Sequence, residues 1–404
     1  MGTSRENLIR FGMLHDNLAR WPTRHVYHKI LTMEPGRIGI LLNKIIERVY
    51  EVSLARILLT WIRSLLTNFH GKLSGFGRGG FLKTLITGAG GFIGSHLVER
   101  CVELGHTVRA FVHYNSNNSW GWLDKSPIKS QIEVIAGDIR DYDSVLAAMR
   151  GSDQVFHLAA LIGIPYSYVS PLAYVRTNVE GTYNILQAAR ELSVSNLVVT
   201  STSETYGTAQ YVPMDEKHPM VGQSPYSASK IGADNLAISY FRSFGLPVKI
   251  ARPFNTYGPR QSTRAIIPTI ATQILQGRRE IHLGNTTPTR DLTYVKDTVN
   301  GFVDIAKTEK LNGEYVNIGM AEEISVGDLA QKIAGIIGTD IKIVSEAQRT
   351  RPVASEVERL YCSNQKIRAH SSWKPQFSLD SGLQETIEWI REHLSMFKAG
   401  QYHV

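Results

Sequence analysis

The sequence predicts an α/β protein, a doubly wound parallel sheet with a smaller lobe made from the C-terminal part. Three observations predict it. From residue 81 onward, short and continuous apolar runs alternate with helical patterns. Such runs are strands covered on both faces, as parallel sheets flanked by helices require. A glycine-rich turn lies between the first run and the first helix. Finally, 404 residues, 43% apolar and 20% charged, suffice for two domains or one large α/β unit and exclude collagen-like, low-complexity and wholly disordered chains.

Residues 1–80 differ from the rest of the chain. They hold 12 Lys/Arg against 5 Asp/Glu, whereas the remainder holds 32 against 31. The net charge of +8 therefore belongs to an N-terminal extension, and a basic groove for nucleic acid in the body is disfavoured. Within residues 38–69, Ile38, Leu41, Leu42, Ile45, Val49, Val52, Leu58, Trp61, Ile62 and Leu65 recur at helical spacing. The pattern fits amphipathic helices lying on an anionic membrane surface or docking a partner, and equally a packing helix of the fold. Gly71, Gly75, Gly77, Gly79 and Gly80 come next as a linker. No run is long and apolar enough to span a bilayer. Two cysteines, Cys101 and Cys362, make neither a disulfide framework nor a metal cluster and fit a reducing cytosol.

In the body the expected elements run in order: strand Leu82–Ile86, helix Phe92–Leu104, strands Thr107–Val112 and Ile132–Ala136, a helix near Asp143–Arg150, then strands Gln154–Leu158, Leu197–Thr200 and Val248–Ala251. Residues 81–253 thus read as a parallel-sheet domain, and the glycine turn after its first strand makes the expected type a dinucleotide-binding domain of Rossmann type. Residues 254–404, with irregular patterning, form mainly a substrate lobe.

The turn after the first strand reads Thr87-Gly88-Ala89-Gly90-Gly91-Phe92-Ile93-Gly94. Glycines admit a pyrophosphate close to the backbone, and the helix N-terminus favours its charge. Gly88, Gly91, Phe92, Ile93 and Gly94 are therefore candidate coenzyme ligands. The second strand ends in His113-Tyr114-Asn115-Ser116, without the acid that would accept a ribose 2′-hydroxyl and repel a 2′-phosphate, so this strand end does not settle NAD over NADP; the coenzyme expected is NAD, with NADP open. Asp138 and Ile139, after the third strand, are candidates for the adenine side, although Asp138 also suits a turn or helix cap. Leu158, Ala159 and Ala160 leave room for the coenzyme beside the fourth strand.

Ser201-Thr202-Ser203-Glu204-Thr205-Tyr206-Gly207 ends the fifth strand, and Tyr226-Ser227-Ala228-Ser229-Lys230 lies further on. Tyr226 and Lys230 share one helix face. An ammonium and a nicotinamide cation near the phenol would lower its pKa, making Tyr226 a usable base. Lys230 would also hold the ribose hydroxyls.

On these motifs residues 81–390 resemble the extended short-chain dehydrogenase/reductase family. Within it they are most similar to nucleotide-sugar 4,6-dehydratases, and closest to those of bacterial surface-sugar and legionaminic-acid pathways. Tyr166–Pro171, Thr177–Thr182, Arg252–Arg260 and Arg290–Asp297 carry the same likeness. The resemblance implies that Tyr226 takes the O4 proton of a sugar, Thr202 hydrogen-bonds O4, and Glu204 removes the C5 proton and helps expel the C6 hydroxyl. Ser203 stands where dehydratases of deoxythymidine-diphosphate glucose carry Asp, so Glu204 is expected to serve as both base and acid. Ser203, Asn255, Arg264, Arg290 and Arg351 are implied substrate ligands, Asn255 pointing to the sugar-nucleotide phosphates and the arginines being candidates to neutralise the diphosphate. The resemblance further implies a nucleoside-diphosphate sugar as substrate and a cytosolic homodimer. 4-Epimerization and uronate decarboxylation remain alternatives.

Overall fold

The computed structural model describes residues 82–346, 349 and 352–397. The extension, with its expected helices over residues 38–69, and Arg351 lie outside the described residues.

Six strands come in sequence: β1 (Lys83–Thr87), β2 (Thr107–His113), β3 (Glu133–Gly137), β4 (Gln154–His157), β5 (Asn196–Thr200) and β6 (Val248–Pro253). They are joined through helices α1 (Phe92–Glu103), α2 (Tyr142–Met149), α3 (Gly181–Glu191) and α4 (Pro225–Phe244). Short strands β7 (Asn255–Tyr257), β8 (Glu280–Leu283), β9 (Thr289–Arg290) and β10 (Leu292–Tyr294) belong to the C-terminal part. So do helices α5 (Ile266–Leu275), α6 (Val295–Lys307), α7 (Val326–Ile337) and α8 (Leu379–Glu392). One later strand, β11 (Tyr315–Ile318), returns to the main sheet, whose order is β11-β6-β5-β4-β1-β2-β3, parallel throughout. The order reverses direction between β1 and β4, and such a switch point opens a crevice at the strands' carboxyl ends.

The apolar strand runs have the expected cause. Leu85, Val155, Leu197, Val199 and Ile250 enter one buried cluster with α2, α3 and α4. Their neighbours Ile86, Phe156, Val198 and Ala251 enter the other, with α1, α5, α6, α7 and α8. Alternate residues thus face two cores, which leaves no polar face on any central strand.

The irregular region after Pro253 is more regular than its sequence suggested. Short paired strands are present, but among the described residues five α-helices accompany them, α5 to α8 and a shorter one over Gln365–His370. In α6 the buried set Val295, Val299, Phe302, Val303 and Ala306 keeps helical spacing. Buried polar Asp297 and Thr298 interrupt the apolar stripe and obscure the pattern. Among the described residues no helix is long and apolar enough to cross a membrane.

Candidate active site

A cavity of about 1330 Å³ lies at the carboxyl ends of the strands, larger than a typical single small-molecule site. Its wall includes Gly88, Gly91, Phe92, Ile93, Gly94, Asp138, Ile139, Leu158, Ala159, Ala160, Thr202, Ser203, Glu204, Tyr226, Lys230, Asn255, Arg264 and Arg290. Every expected site residue except Arg351, which is not described, lines this one space.

The glycine turn is built by backbone contact. Gly88 has φ +69°, and a Cβ there would sit 2.8 Å from the Ala159 amide nitrogen. A Cβ on Gly94 would run into the Gly88 carbonyl. Gly91 caps α1 without any side-chain hydrogen bond, so the first amides of that helix face the cavity wall unfilled by the protein's own side chains. This arrangement fits a pyrophosphate.

Behind the turn, His157 ties β1 to β4. Thr87 Oγ1 accepts from the Leu158 and Ala159 amides, both at 3.2 Å. Its one proton therefore goes to His157 Nδ1, 2.8 Å away, and Nε2–H donates to Thr182 Oγ1 at 3.1 Å. Burial, helped by the charge of Lys230, pushes the imidazole down to about 3. The unfolded chain takes up this proton near 6.5 and the folded chain does not, so acid disfavours the fold. The His157→Asn penalty, measured against wild type by urea unfolding, should therefore be smaller at pH 5 than at pH 7.5, by about 2 kcal/mol. The comparison cancels Asp291, whose carboxyl burial raises to about 7 and which acts in the opposite sense. An equal penalty at both pH values would refute the neutral clamp.

Asp138 plays the turn role and more. Its carboxylate accepts from the Arg140 amide at 2.9 Å, from Nε at 3.0 Å and from a terminal guanidinium nitrogen at 2.5 Å, and this pairing holds it below the ordinary carboxylate range. Ile139 is buried beneath Gly181.

The catalytic candidates come from two neighbouring elements. Thr202 caps the turn Ser203–Tyr206 by accepting from the Glu204 amide at 3.3 Å. Glu204 is half-buried, and Ser203 is buried. Helix α4 starts with Pro225 at its first turn and a reciprocal Ser224–Ser227 capping box, which fixes where Tyr226 and Lys230 stand. Asn178 links this helix to the segment after β4: its side chain pairs with both the Leu161 amide and carbonyl and donates to Ser229 Oγ at 2.9 Å.

The expected lowering of the phenol is not a property of the chain itself. Burial raises Tyr226 well above the usual tyrosine value, hydrogen bonding with Thr202 pulls the other way, and Glu204 and Asp234 add to the rise. The Lys230 ammonium donates to the Thr200 carbonyl at 2.5 Å, and burial lowers its own pKa while Asp234 opposes that. Sequence spacing revealed the neighbours but not their desolvation.

On the other side of the cavity, Asn255 has an enclosed Oδ1 that accepts no hydrogen bond from the described residues. That acceptor can take a hydroxyl or amide donor, while Nδ2 of the same carboxamide can donate to a phosphate oxygen, as the resemblance implies for Asn255. Arg264 is exposed and makes no ion pair with a carboxylate among the described residues. Arg290 is buried and ion-paired to Glu356 at 3.3 Å. Trp120, Gly121, Arg349 and Glu356 also line the cavity and lie in no motif that the sequence singles out; Tyr166, in the run Tyr166–Pro171, lines it too, although that run marks no ligand.

The family model described as GDP-mannose 4,6 dehydratase matches residues 85–386. A dTDP-glucose 4,6-dehydratase of Streptomyces antibioticus is 33% identical over 319 residues, covering 77% of this chain and 93% of that protein. A UDP-N-acetyl-alpha-D-glucosaminuronate decarboxylase of Bacillus cytotoxicus is 33% identical over 320 residues, covering 77% and 98%. The crystal structure of a UDP-glucose 4-epimerase of Thermus thermophilus complexed with NAD superposes with a TM-score of 0.69 at 27% identity, covering 77% of this chain and 99% of that one. Three reactions are represented at nearly equal distance, so the choice among them rests on the site's residues.

Proposed function

The chain belongs to the extended short-chain dehydrogenase/reductase family, in its GDP-mannose 4,6-dehydratase group, and from that premise we propose that it is a nucleotide-sugar 4,6-dehydratase. The substrate class is a nucleoside-diphosphate hexose or N-acetylhexosamine, and the product a 4-keto-6-deoxy sugar destined for surface polysaccharide. One observation carries the reading. A carboxylate, Glu204, opens into the same cavity as Tyr226, Thr202 and the glycine turn.

The coenzyme in this reading is NAD, as in the neighbour solved with it. Gly88, Gly91, Phe92, Ile93 and Gly94 would hold its pyrophosphate, Asp138 and Ile139 its adenosine side, and Leu158, Ala159 and Ala160 the adjoining wall. When bound, NAD would supply a positive charge near the phenol and the hydride-accepting and hydride-donating chemistry that links C4 and C6.

The chain's own groups move the protons. Tyr226 takes the O4 proton, with Thr202 hydrogen-bonding O4 and Lys230 holding ribose hydroxyls. The ketone at C4 acidifies C5–H, and Glu204 removes that proton. Glu204, now protonated, gives it to the C6 hydroxyl, which leaves as water. Regain of a proton at C5 balances the one Tyr226 removed from O4, so the sum is loss of one water. A 4-epimerase needs no carboxylate at this place.

The decarboxylase likeness supports a second reading, in which a C6 carboxylate leaves as carbon dioxide once C4 is a ketone. Incubation with UDP-, GDP-, CDP- and dTDP-sugars and their uronates, read by mass spectrometry, tests both. Loss of one water supports dehydration; loss of one carbon dioxide, or no mass change with C4 inversion, overturns it.

Residues 254–404 act in this reading mainly as the substrate lobe. A homodimer belongs to the same proposal. Exposed Leu172, Val175 and Tyr183 along the helical run 171–191 support it.

A further inference from the structure

The segment 352–358 reaches the cavity wall through Glu356. It is fastened to the elements that carry the catalytic candidates. Ser355 Oγ is 2.6 Å from Tyr168 Oη. Gln223 Nε2, just before α4, donates to the Ala354 and Glu356 carbonyls, both at 3.3 Å. Thr208, just after the Glu204 turn, donates from Oγ1 to the Glu356 carbonyl at 3.4 Å. These bonds use main-chain carbonyls and Ser355, so the segment can stay in place while the Glu356 side chain changes rotamer.

The Glu356 carboxylate faces Arg290. Their side chains are 12% and 11% exposed and their charged atoms 3.3 Å apart, and both line the cavity. Arg349, also in the wall, pairs with Glu346. Of the four arginines among the described residues of this wall, Arg140, Arg264, Arg290 and Arg349, Arg140 pairs with Asp138, and Arg290 and Arg349 are already matched by acids of the same short stretch, 346–356. A diphosphate entering the cavity meets a guanidinium that is already neutralised and a carboxylate that repels it.

We propose that Glu356 is a specificity-determining residue that stands in for the substrate's diphosphate. It holds Arg290 in the orientation a phosphate needs and sets a threshold against anionic ligands. A nucleoside diphosphate alone binds weakly because it must displace Glu356 with phosphate contacts only. A nucleotide sugar adds the sugar's contacts with Thr202, Asn255 and Tyr226 and passes the threshold. The proposal rests on the reading of the cavity as a nucleotide-sugar site.

The test is calorimetric titration of the full-length, NAD-loaded protein with UDP and GDP, and with uridine and guanosine as uncharged controls. Glu356→Gln keeps size and hydrogen-bonding capacity and removes the charge. It should tighten both diphosphates about tenfold, the scale of one partly buried like-charge contact, and leave the nucleosides unchanged. Glu356→Asp, which keeps the charge, should bind like the wild type. Unchanged or weaker diphosphate binding in Glu356→Gln, or equal tightening in Glu356→Asp, overturns the proposal alone. Failure of every nucleotide to bind either protein would overturn the site reading and this proposal with it.

Discussion

Glu204→Gln should lower the rate of water loss by roughly 10²- to 10⁴-fold, the usual contribution of a positioned acid–base group, while C4 oxidation persists. Gln fills the same volume and leaves the Thr202 cap intact, because that bond uses the Glu204 amide and not its side chain. What disappears is the group that accepts the C5 proton and returns it to the C6 hydroxyl. Tyr226, Thr202 and Lys230 are untouched, so hydride should still leave C4. The variant should therefore accumulate reduced nicotinamide, seen by absorbance, and should lose exchange of the C5 proton with solvent deuterium. Removal of one negative neighbour also eases ionisation of Tyr226, since Glu204 contributes to the raised phenol. If Glu204→Gln still dehydrates within a few-fold of wild type, the carboxylate is not the acid–base group and the lyase reading fails.

How much of the fold and site is legible in the sequence depends on distance along the chain. The glycine turn, the strand that precedes it and the helix after it are local, and spacing alone places them. Tyr226 and Lys230 lie one helical turn apart, and a capping box beside them fixes the helix start, so their shared face is readable too. The substrate side is less so. Arg290 stands out by its motif, yet its partner Glu356 lies 66 residues away with no local signal. Asp138 is readable as a turn residue, but its clamp by Arg140 depends on a rotamer. The state of the phenol depends on burial among Ile164, Tyr174 and Leu161, which only assembly of separate segments creates. Likewise β11 joins the sheet beside β6 after more than sixty intervening residues, and periodicity carries no information about pairing at that range.

The second large effect should come from a residue that no motif marks. Asp234 lies on α4, two turns beyond Tyr226, and pairs with Arg252 of β6 at 2.7 Å, with both side chains at most 1% exposed. Ser201 donates to the same carboxylate oxygen at 2.6 Å. The guanidinium lies near the rings of both Tyr206 and Tyr315, 4.5 Å from each centroid. Tyr206 belongs to the Glu204 turn. One buried ion pair thus connects the helix holding Tyr226 and Lys230 to the turn holding Glu204 and to two strands. Asp234→Ala leaves a buried guanidinium without its counter-ion, and breaking such a pair costs about 3–5 kcal/mol. The double variant Asp234→Ala/Arg252→Met removes both charges and should recover most of that loss in urea unfolding, since an apolar replacement of a buried pair is often neutral. If the pair acts only on stability, the double variant should dehydrate at the wild-type rate. If it sets the distance between Glu204 and Tyr226, the double variant should unfold like wild type but turn over about tenfold more slowly, because small misplacements of reacting groups are expensive in rate. An Asp234→Ala penalty below about 1 kcal/mol would place it in the range of exposed pairs and would contradict the buried geometry on which both outcomes depend.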